Sequence, residues 1–290
     1  MAAKFGPAGN SESFTKMGYK SSLQVPEYLV KMGLDCFEYQ CGRGVNIGEE
    51  KARQLGEIAA EKNISLSLHA PYYISMSSVE EEKRLNSVNY ILASARAVNA
   101  MGGDRIVVHT GSCGKISREK ALELAIDTMH LAVDALDREG LGNIHICPET
   151  MGKVNQLGTL DEVLELCLVD DRLIPCIDFG HLNARDLGVL KSKENFEKIF
   201  LAIKDKLGTD RLKSFHSHFS KIEYTTGGEK RHLTFADTVY GPNFEPVMEL
   251  IHKYDCSPTI ICESAGTQAE DAKAMKDYYS LLLDGEGGSR

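Results

Sequence analysis

The histidines and carboxylates of this chain gather at the ends of short apolar runs. SLSLHAPYY closes its run on His69, RIVVHTGS on His109, and IHICPET on Glu149. IPCIDFGH ends in Asp178 with His181 just beyond, LKSFHSH in His216 and His218, and TIICES in Glu263. A single polar residue at such a place is ordinarily a cap or a satisfied core group. Six run ends of this kind describe a site instead. Imidazoles and carboxylates crowded into one cleft repel or desolvate one another unless a cation holds them. A mixed set of these donors suits Zn²⁺ or Mn²⁺ better than Ca²⁺ or Mg²⁺. The spacing therefore predicts a metal centre. His130 and His252 fall on predicted helices and His145 at a strand start, so these three read as structural.

The elements that must position those residues follow from hydrophobic period. Strands are predicted at Lys4–Gly6, Cys36–Tyr39, Ser65–His69, Arg105–His109, Ile144–Glu149, Ile174–Asp178, Leu212–His216 and Thr259–Glu263. Helices are predicted between them, at Gly48–Lys62, Val79–Met101, Arg118–Arg138 and Asn195–Leu207. Ala52, Leu55 and Ala59 recur at helical spacing, as do Leu122, Ala125, Met129 and Ala132. Strand–helix alternation implies right-handed βαβ units and a parallel sheet, and eight units in 290 residues is the arithmetic of a (β/α)8 TIM barrel. In that α/β fold the C-terminal strand ends converge on one face, which is where the polar residues would meet. No linker or low-complexity tract interrupts residues 1–284, so one domain is expected, with 285–290 a frayed tail. The stretch 217–246 carries no clear element and is expected to be a functional loop.

Composition narrows the classes. Hydrophobic residues make up 42% and charged residues 26%, which excludes a disordered or fibrous chain. No run is apolar enough to span a membrane, and the N-terminus has no apolar core of a secretory signal, so a cytoplasmic protein without a membrane partner is expected. Cys36, Cys147, Cys176 and Cys262 lie in or beside apolar runs, and no CxxC pair occurs, which reads as reduced core thiols. The net charge of −9 gives no long-range attraction to nucleic acid, although binding needs only a local basic stripe.

HAPY at 69–72, VVHTGS at 107–112, PET at 148–150, IDFGH at 177–181 and ICES at 261–264 resemble the endonuclease IV family of AP endonucleases. That family sits within the wider superfamily of xylose-isomerase-like TIM barrels, and the similarity runs in order over most of the chain. The resemblance implies two or three zinc ions, with manganese an alternative. It implies Glu149 as a bridge between two ions, His69 and His109 completing one site, and Asp178, His216 and Glu263 the other. His216 matches the family's HxxxxK pattern with Lys221, while His218 faces the same way two residues on. His181 would hold a third ion with ligands from the seventh loop. There the family carries Asp-x-His, whereas this chain reads GGEKRHL, offering Glu229 and His232 three residues apart.

The implied reaction is zinc-dependent hydrolysis of the phosphodiester 5′ to an abasic site in double-stranded DNA, a base-excision-repair step, with Glu149 and Glu263 as catalytic carboxylates. Arg43, Tyr72 and Tyr73 fall on loops beside the site and would grip an opened duplex. Lys221, Lys230 and Arg231 would contact phosphate. A sugar or polyol isomerase or epimerase is the alternative. It needs a single ion on Glu149, Asp178, His216 and Glu263, and leaves His69, His109 and His181 surplus. A non-catalytic binding barrel leaves the whole polar mouth without a purpose.

Overall fold

Seven of the eight runs that read as β-branched and apolar become strands, because their side chains are buried on both faces. Leu66, Leu68, Ile106, Val107, Val108, Ile146, Ile177, Ile260 and Ile261 are almost fully inaccessible. The computed structural model describes residues 2–287. Its strands are β1 (Lys4–Pro7), β2 (Cys36–Gln40), β3 (Ser65–His69), β4 (Arg105–Val108), β5 (His145–Pro148), β6 (Cys176–Asp178), β7 (His216–Phe219), β8 (Lys221–Thr225), β9 (Gly228–Leu233) and β10 (Thr259–Cys262). The helices are α1 (Glu12–Lys16), α2 (Val25–Met32), α3 (Glu49–Glu61), α4 (Glu81–Ala100), α5 (Arg118–Arg138) and α6 (Leu160–Leu166). They continue with α7 (Phe179–Arg185), α8 (Lys193–Leu207), α9 (Thr209–Ser214), α10 (Glu245–Lys253) and α11 (Gln268–Gly287).

Two parallel arcs, β2-β3-β4-β5 and β1-β10-β7-β6, make up the barrel. Single parallel bridges join them, Ala8 to Glu38 at one seam and Glu149 to Cys176 at the other. The eight strands therefore close in sequence order, as the alternating pattern requires. Helices pack outside on apolar stripes. On α5, Ala121, Ala125, Met129, Ala132 and Leu136 are buried at helical spacing, and Ser117 caps the first turn by accepting from Lys120 N.

Two expectations fail around the seventh strand. The strand placed at Leu212–His216 lies later, at His216–Phe219, because Thr209–Ser214 forms α9. Leu212 and Phe215 are both buried and three apart, a spacing that suits a helical turn as readily as a strand. The loop expected over 217–246 contains the antiparallel hairpin β8–β9, turning through Thr225–Gly228. Of the expected tail, 285–287 continue α11 and 288–290 lie outside the described residues.

Candidate metal centre

Glu149 follows β5 directly, and its backbone is fixed by its N–H bond to Val108 O at 3.0 Å. The carboxylate is 1% exposed and meets an imidazole on every side. Oε2 lies 3.4 Å from His69 Nε2 and 3.3 Å from His109 Nε2. Oε1 lies 3.0 Å from His218 Nδ1 and 3.3 Å from His181 Nδ1. Burial alone would push this carboxyl up. The charge of His218 and the hydrogen bonds from His109, His181 and His218 instead hold it well below the usual carboxylate range. Burial opposes charge on His69 as well, yet Glu149 and then Glu38 raise it to about 9.

The tautomers of two imidazoles are set by the backbone. His69 Nδ1 is 2.8 Å from Ala70 O, and His181 Nδ1 is 2.9 Å from Thr150 O. A carbonyl can only accept, so the proton sits on Nδ1 and Nε2 is left to face the cleft. This is how histidines that hold metal are usually oriented.

Asp178 ends β6 and caps α7, its Oδ1 accepting from His181 N at 2.6 Å. Its Oδ2 is buried without a hydrogen-bond partner. Burial, partly countered by His181, and then the charges of Glu263 and Glu149 push Asp178 up to about 6. A buried carboxylate oxygen with no donor, set beside two further carboxylates, is what a cation would satisfy. One donor atom each from Glu149, Asp178, His218 and Glu263 lies within 4.8 Å of the rest.

The seventh-strand histidine is a correction. His218 pairs in register with Asp178, whereas His216 pairs with Cys176 at the start of both strands, lower in the barrel. His216 Nε2 bonds Glu38 Oε2 at 2.9 Å, and His216 belongs to none of the donor sets containing Glu149. A set of Cys176, His216 and His218 does lie at this lower level. Burial holds the Cys176 thiol well above its ordinary value, which makes it a poor donor. Lys221, the lysine of the HxxxxK match, ties down the following loop by donating to Phe235 O and Asp237 O at 3.1 and 2.6 Å.

The altered seventh loop does reach the cleft. His181, Glu229 and His232 form a further set within 4.8 Å, with His181 Nε2 at 3.4 Å from Glu229 Oε2. Residues three apart on a regular strand point to opposite faces. Here Arg231 pairs with Glu223 but Glu229 with Tyr224, so Lys230 is an extra residue in a β-bulge. The bulge restores Glu229 and His232 to one face. Glu-x-x-His with a bulge thus puts its two side chains on one face, as Asp-x-His does without one. Gly152 leaves the room: a Cβ there would lie 2.7 Å from Glu229 Cβ and 2.8 Å from His181 Cδ2.

Two arginines hold the segment that carries Glu149 and Gly152. Arg185, 9% exposed, donates to the carbonyls of Met151, Lys153, Val154 and Gln156. Arg118 donates to Val154 and Gln156 and pairs with both oxygens of Glu162 at 2.7 Å. His69, His109, Glu149, His181, Glu229, His232 and Glu263 open into a cleft of about 250 Å³, whose walls add Gln40, Tyr72, Lys153 and Gln156. Tyr72 and Tyr73 are each 48% exposed at its rim, with ring centroids 4.6 Å apart. Tyr73 and then Arg43 lower the Tyr72 hydroxyl, which puts the three expected contact residues together. Lys230 and Arg231 are exposed but both pair with Glu223, at 2.5 and 2.6 Å. Neither is free to meet phosphate without leaving it. Of the remaining histidines, His145 donates from Nδ1 to Arg172 O, away from the cleft.

The model of the xylose isomerase-like TIM barrel family matches residues 26–280. An uncharacterized protein of Methanocaldococcus jannaschii is 34% identical over 96% of this chain and 97% of its own. A probable endonuclease 4 of Oceanobacillus iheyensis is 26% identical over 92% of both chains. Among solved structures, a D-tagatose 3-epimerase-like protein superposes with a TM-score of 0.71 at 19% identity, covering 98% of this chain and 99% of that one. Endonuclease IV from Thermus thermophilus superposes at 0.63 and 17% identity, covering 97% and 99%.

Proposed function

The chain belongs to the xylose isomerase-like TIM barrel family, and from that premise we propose that it is a zinc-dependent endonuclease cutting DNA 5′ to abasic sites. One observation carries the reading: three donor sets adjoin a single cleft, two of them sharing both Glu149 and His218. A one-ion epimerase needs only Glu149, Asp178, His218 and Glu263. It gives no task to His69, His109, His181, Glu229 and His232.

In this proposal Glu149, His69 and His109 would hold one ion, Glu149, Asp178, His218 and Glu263 a second, and His181, Glu229 and His232 a third. The donor set suits zinc, with manganese the alternative. When bound, the ions supply Lewis-acid charge that makes a water acidic and neutralises a leaving oxygen. Glu263 lines the cleft and reaches toward His218 with Oε2, where it can accept a proton from the attacking water. Tyr72, Tyr73 and Arg43 form an aromatic and cationic edge against which an opened nucleotide stacks. Eight buried, unpaired cysteines among the described residues accord with a reducing cytoplasmic setting. No helix among those residues is long and apolar enough to cross a membrane.

The test is incision of a duplex carrying one abasic site, with and without chelator, alongside zinc stoichiometry. Chelator-sensitive cutting with two or three ions per chain is expected. The rival reading, a sugar epimerase, draws on the closer superposition with the epimerase-like structure. Metal-replete protein that leaves the duplex intact yet interconverts ketoses, with one ion per chain, overturns the nuclease reading.

A further inference from the structure

Beneath the cleft lies a second buried carboxylate for which the proposed reaction has no use. Glu38 stands in the middle of β2 and is 0% exposed. Its Oε2 accepts from Ser67 Oγ at 3.0 Å and from His216 Nε2 at 2.9 Å. Its Oε1 accepts from Gln40 Nε2 at 3.2 Å and lies 2.9 Å from His218 Nε2. That last contact is at ion-pair distance, with the N–H not aligned on the oxygen. Ser67, Gln40 and His216 would satisfy the carboxylate by themselves, so its approach to His218 is the feature that needs a reason.

The reason lies in the other nitrogen of His218. Nδ1 faces the cleft, 3.0 Å from Glu149 Oε1 and 3.6 Å from Glu263 Oε2. His69 and His181 have Nδ1 tied to a backbone carbonyl and present Nε2. His218 is turned the opposite way, and Glu38 is the acceptor on its far side. His218 faces a carboxylate at each nitrogen, Glu149 at Nδ1 and Glu38 at Nε2. A cation held by the cleft carboxylates would take the place of the proton on Nδ1, while Glu38 keeps the one on Nε2, and such partners fix ring orientation and raise donor strength. We propose that Glu38 is a positioning residue of the metal centre: it holds the proton on His218 Nε2, so that His218 ligates through Nδ1. His216 and Ser67 act one step further out by fixing the Glu38 carboxylate. The inference rests on the metal-dependent reading above and adds a residue to it.

The experiment compares wild type, Glu38→Ala, Glu38→Gln and Ser67→Ala, using zinc itself as the probe. Zinc affinity is read by chelator competition, metal-free thermal stability separately, and the His218 tautomer by ¹⁵N NMR. Glu38→Ala is expected to weaken one zinc site about ten- to hundredfold. Its kcat on an abasic duplex should fall while KM holds. Glu38→Gln, which keeps an accepting oxygen, should recover part of that loss, and the zinc-loaded wild type should show a proton on Nε2. Should Glu38→Ala fail to fold, Ser67→Ala, which removes only one donor to Glu38, is expected to weaken zinc by a smaller factor. Wild-type zinc affinity in folded Glu38→Ala or in Ser67→Ala overturns the proposal, as does a His218 protonated on Nδ1 in the zinc-loaded protein. Wild type that retains no zinc overturns the metal reading itself, and this inference with it.

Discussion

A carboxylate with an imidazole against each oxygen on both sides has one role that matches its cost. Glu149 is that residue, and its surroundings decide what its loss should do. Glu149→Gln keeps the shape but removes the charge that holds His69, His109, His181 and His218 in one cluster. Zinc content is expected to fall by at least one ion per chain. Incision should fall with it, by more than the ~10–100-fold that losing an outer partner of a metal ligand costs. Full zinc content in that variant would rule out the bridge. Most of the residues around Glu149 were legible from the sequence, because a polar side chain ending an apolar run stands at the mouth of a parallel barrel. His218 was the hard case. It and His216 point to the same face, so alternation cannot separate them, and only their depth along β7 does. Glu38 was hidden differently: its strand, CFEYQ, continues past it, so it marks no end. The signal that could have found it is a carboxylate at an inward position of a strand buried on both faces.

At the scale of elements, the β8–β9 hairpin and the segment after β5 decide whether the third donor set exists. Deleting Lys230 removes the extra residue and converts Glu-x-x-His into Glu-x-His. A flat ladder then keeps Glu229 and His232 on one face, so metal stoichiometry should be unchanged. Loss of one ion per chain in the deletion variant would show that the bulge itself is needed to bring Glu229 and His232 together. The hairpin escaped sequence reading because its short strands carry polar residues on both faces, and without alternation a strand has no signature. The segment after β5 depends on Glu162, which accepts from Gly158 N and Thr159 N at 2.8 Å each while pairing with Arg118. Burial alone would push this carboxyl up, but Arg118 and those two N–H groups pull it below its ordinary 4.5. A depressed folded value means the stabilisation is full above the unfolded pKa and is lost as pH falls through the folded one. The stability gap between wild type and Glu162→Gln should therefore be constant above about pH 5 and shrink on acidification below the ordinary glutamate value. Denaturant melts across pH 2–7 check this; a gap independent of pH removes the charge from the account.

The whole molecule sets a different problem, because a chain of net charge −9 repels DNA at a distance. The eight-strand barrel was legible from strand–helix alternation, since each βαβ unit repeats one physical rule. Charge placement was not legible, because sequence does not tell which cations are already paired. Lys230 and Arg231 are the instructive pair: both extend into solvent and both are taken by Glu223. Exposed pairs of this kind hold only weakly, so a phosphate can compete for them. If the hairpin grips the duplex, replacing Lys230 and Arg231 together with alanine should flatten the log–log dependence of affinity on salt. The slope should drop by roughly 0.9 for each phosphate no longer neutralised, about 1.8 for both. Metal content should stay at the wild-type level, since neither side chain belongs to a donor set. Glu223→Gln should act in the opposite sense, releasing both cations and tightening binding most at low salt, where screening is weakest. Fluorescence anisotropy of a labelled abasic duplex across roughly 50–200 mM salt, under chelator to prevent cutting, reads both variants. A wild-type slope in the double alanine variant would move the DNA grip off the hairpin and onto the edge formed by Arg43, Tyr72 and Tyr73. That edge would then have to supply the retained salt dependence through Arg43, because stacking on Tyr72 and Tyr73 neutralises no phosphate.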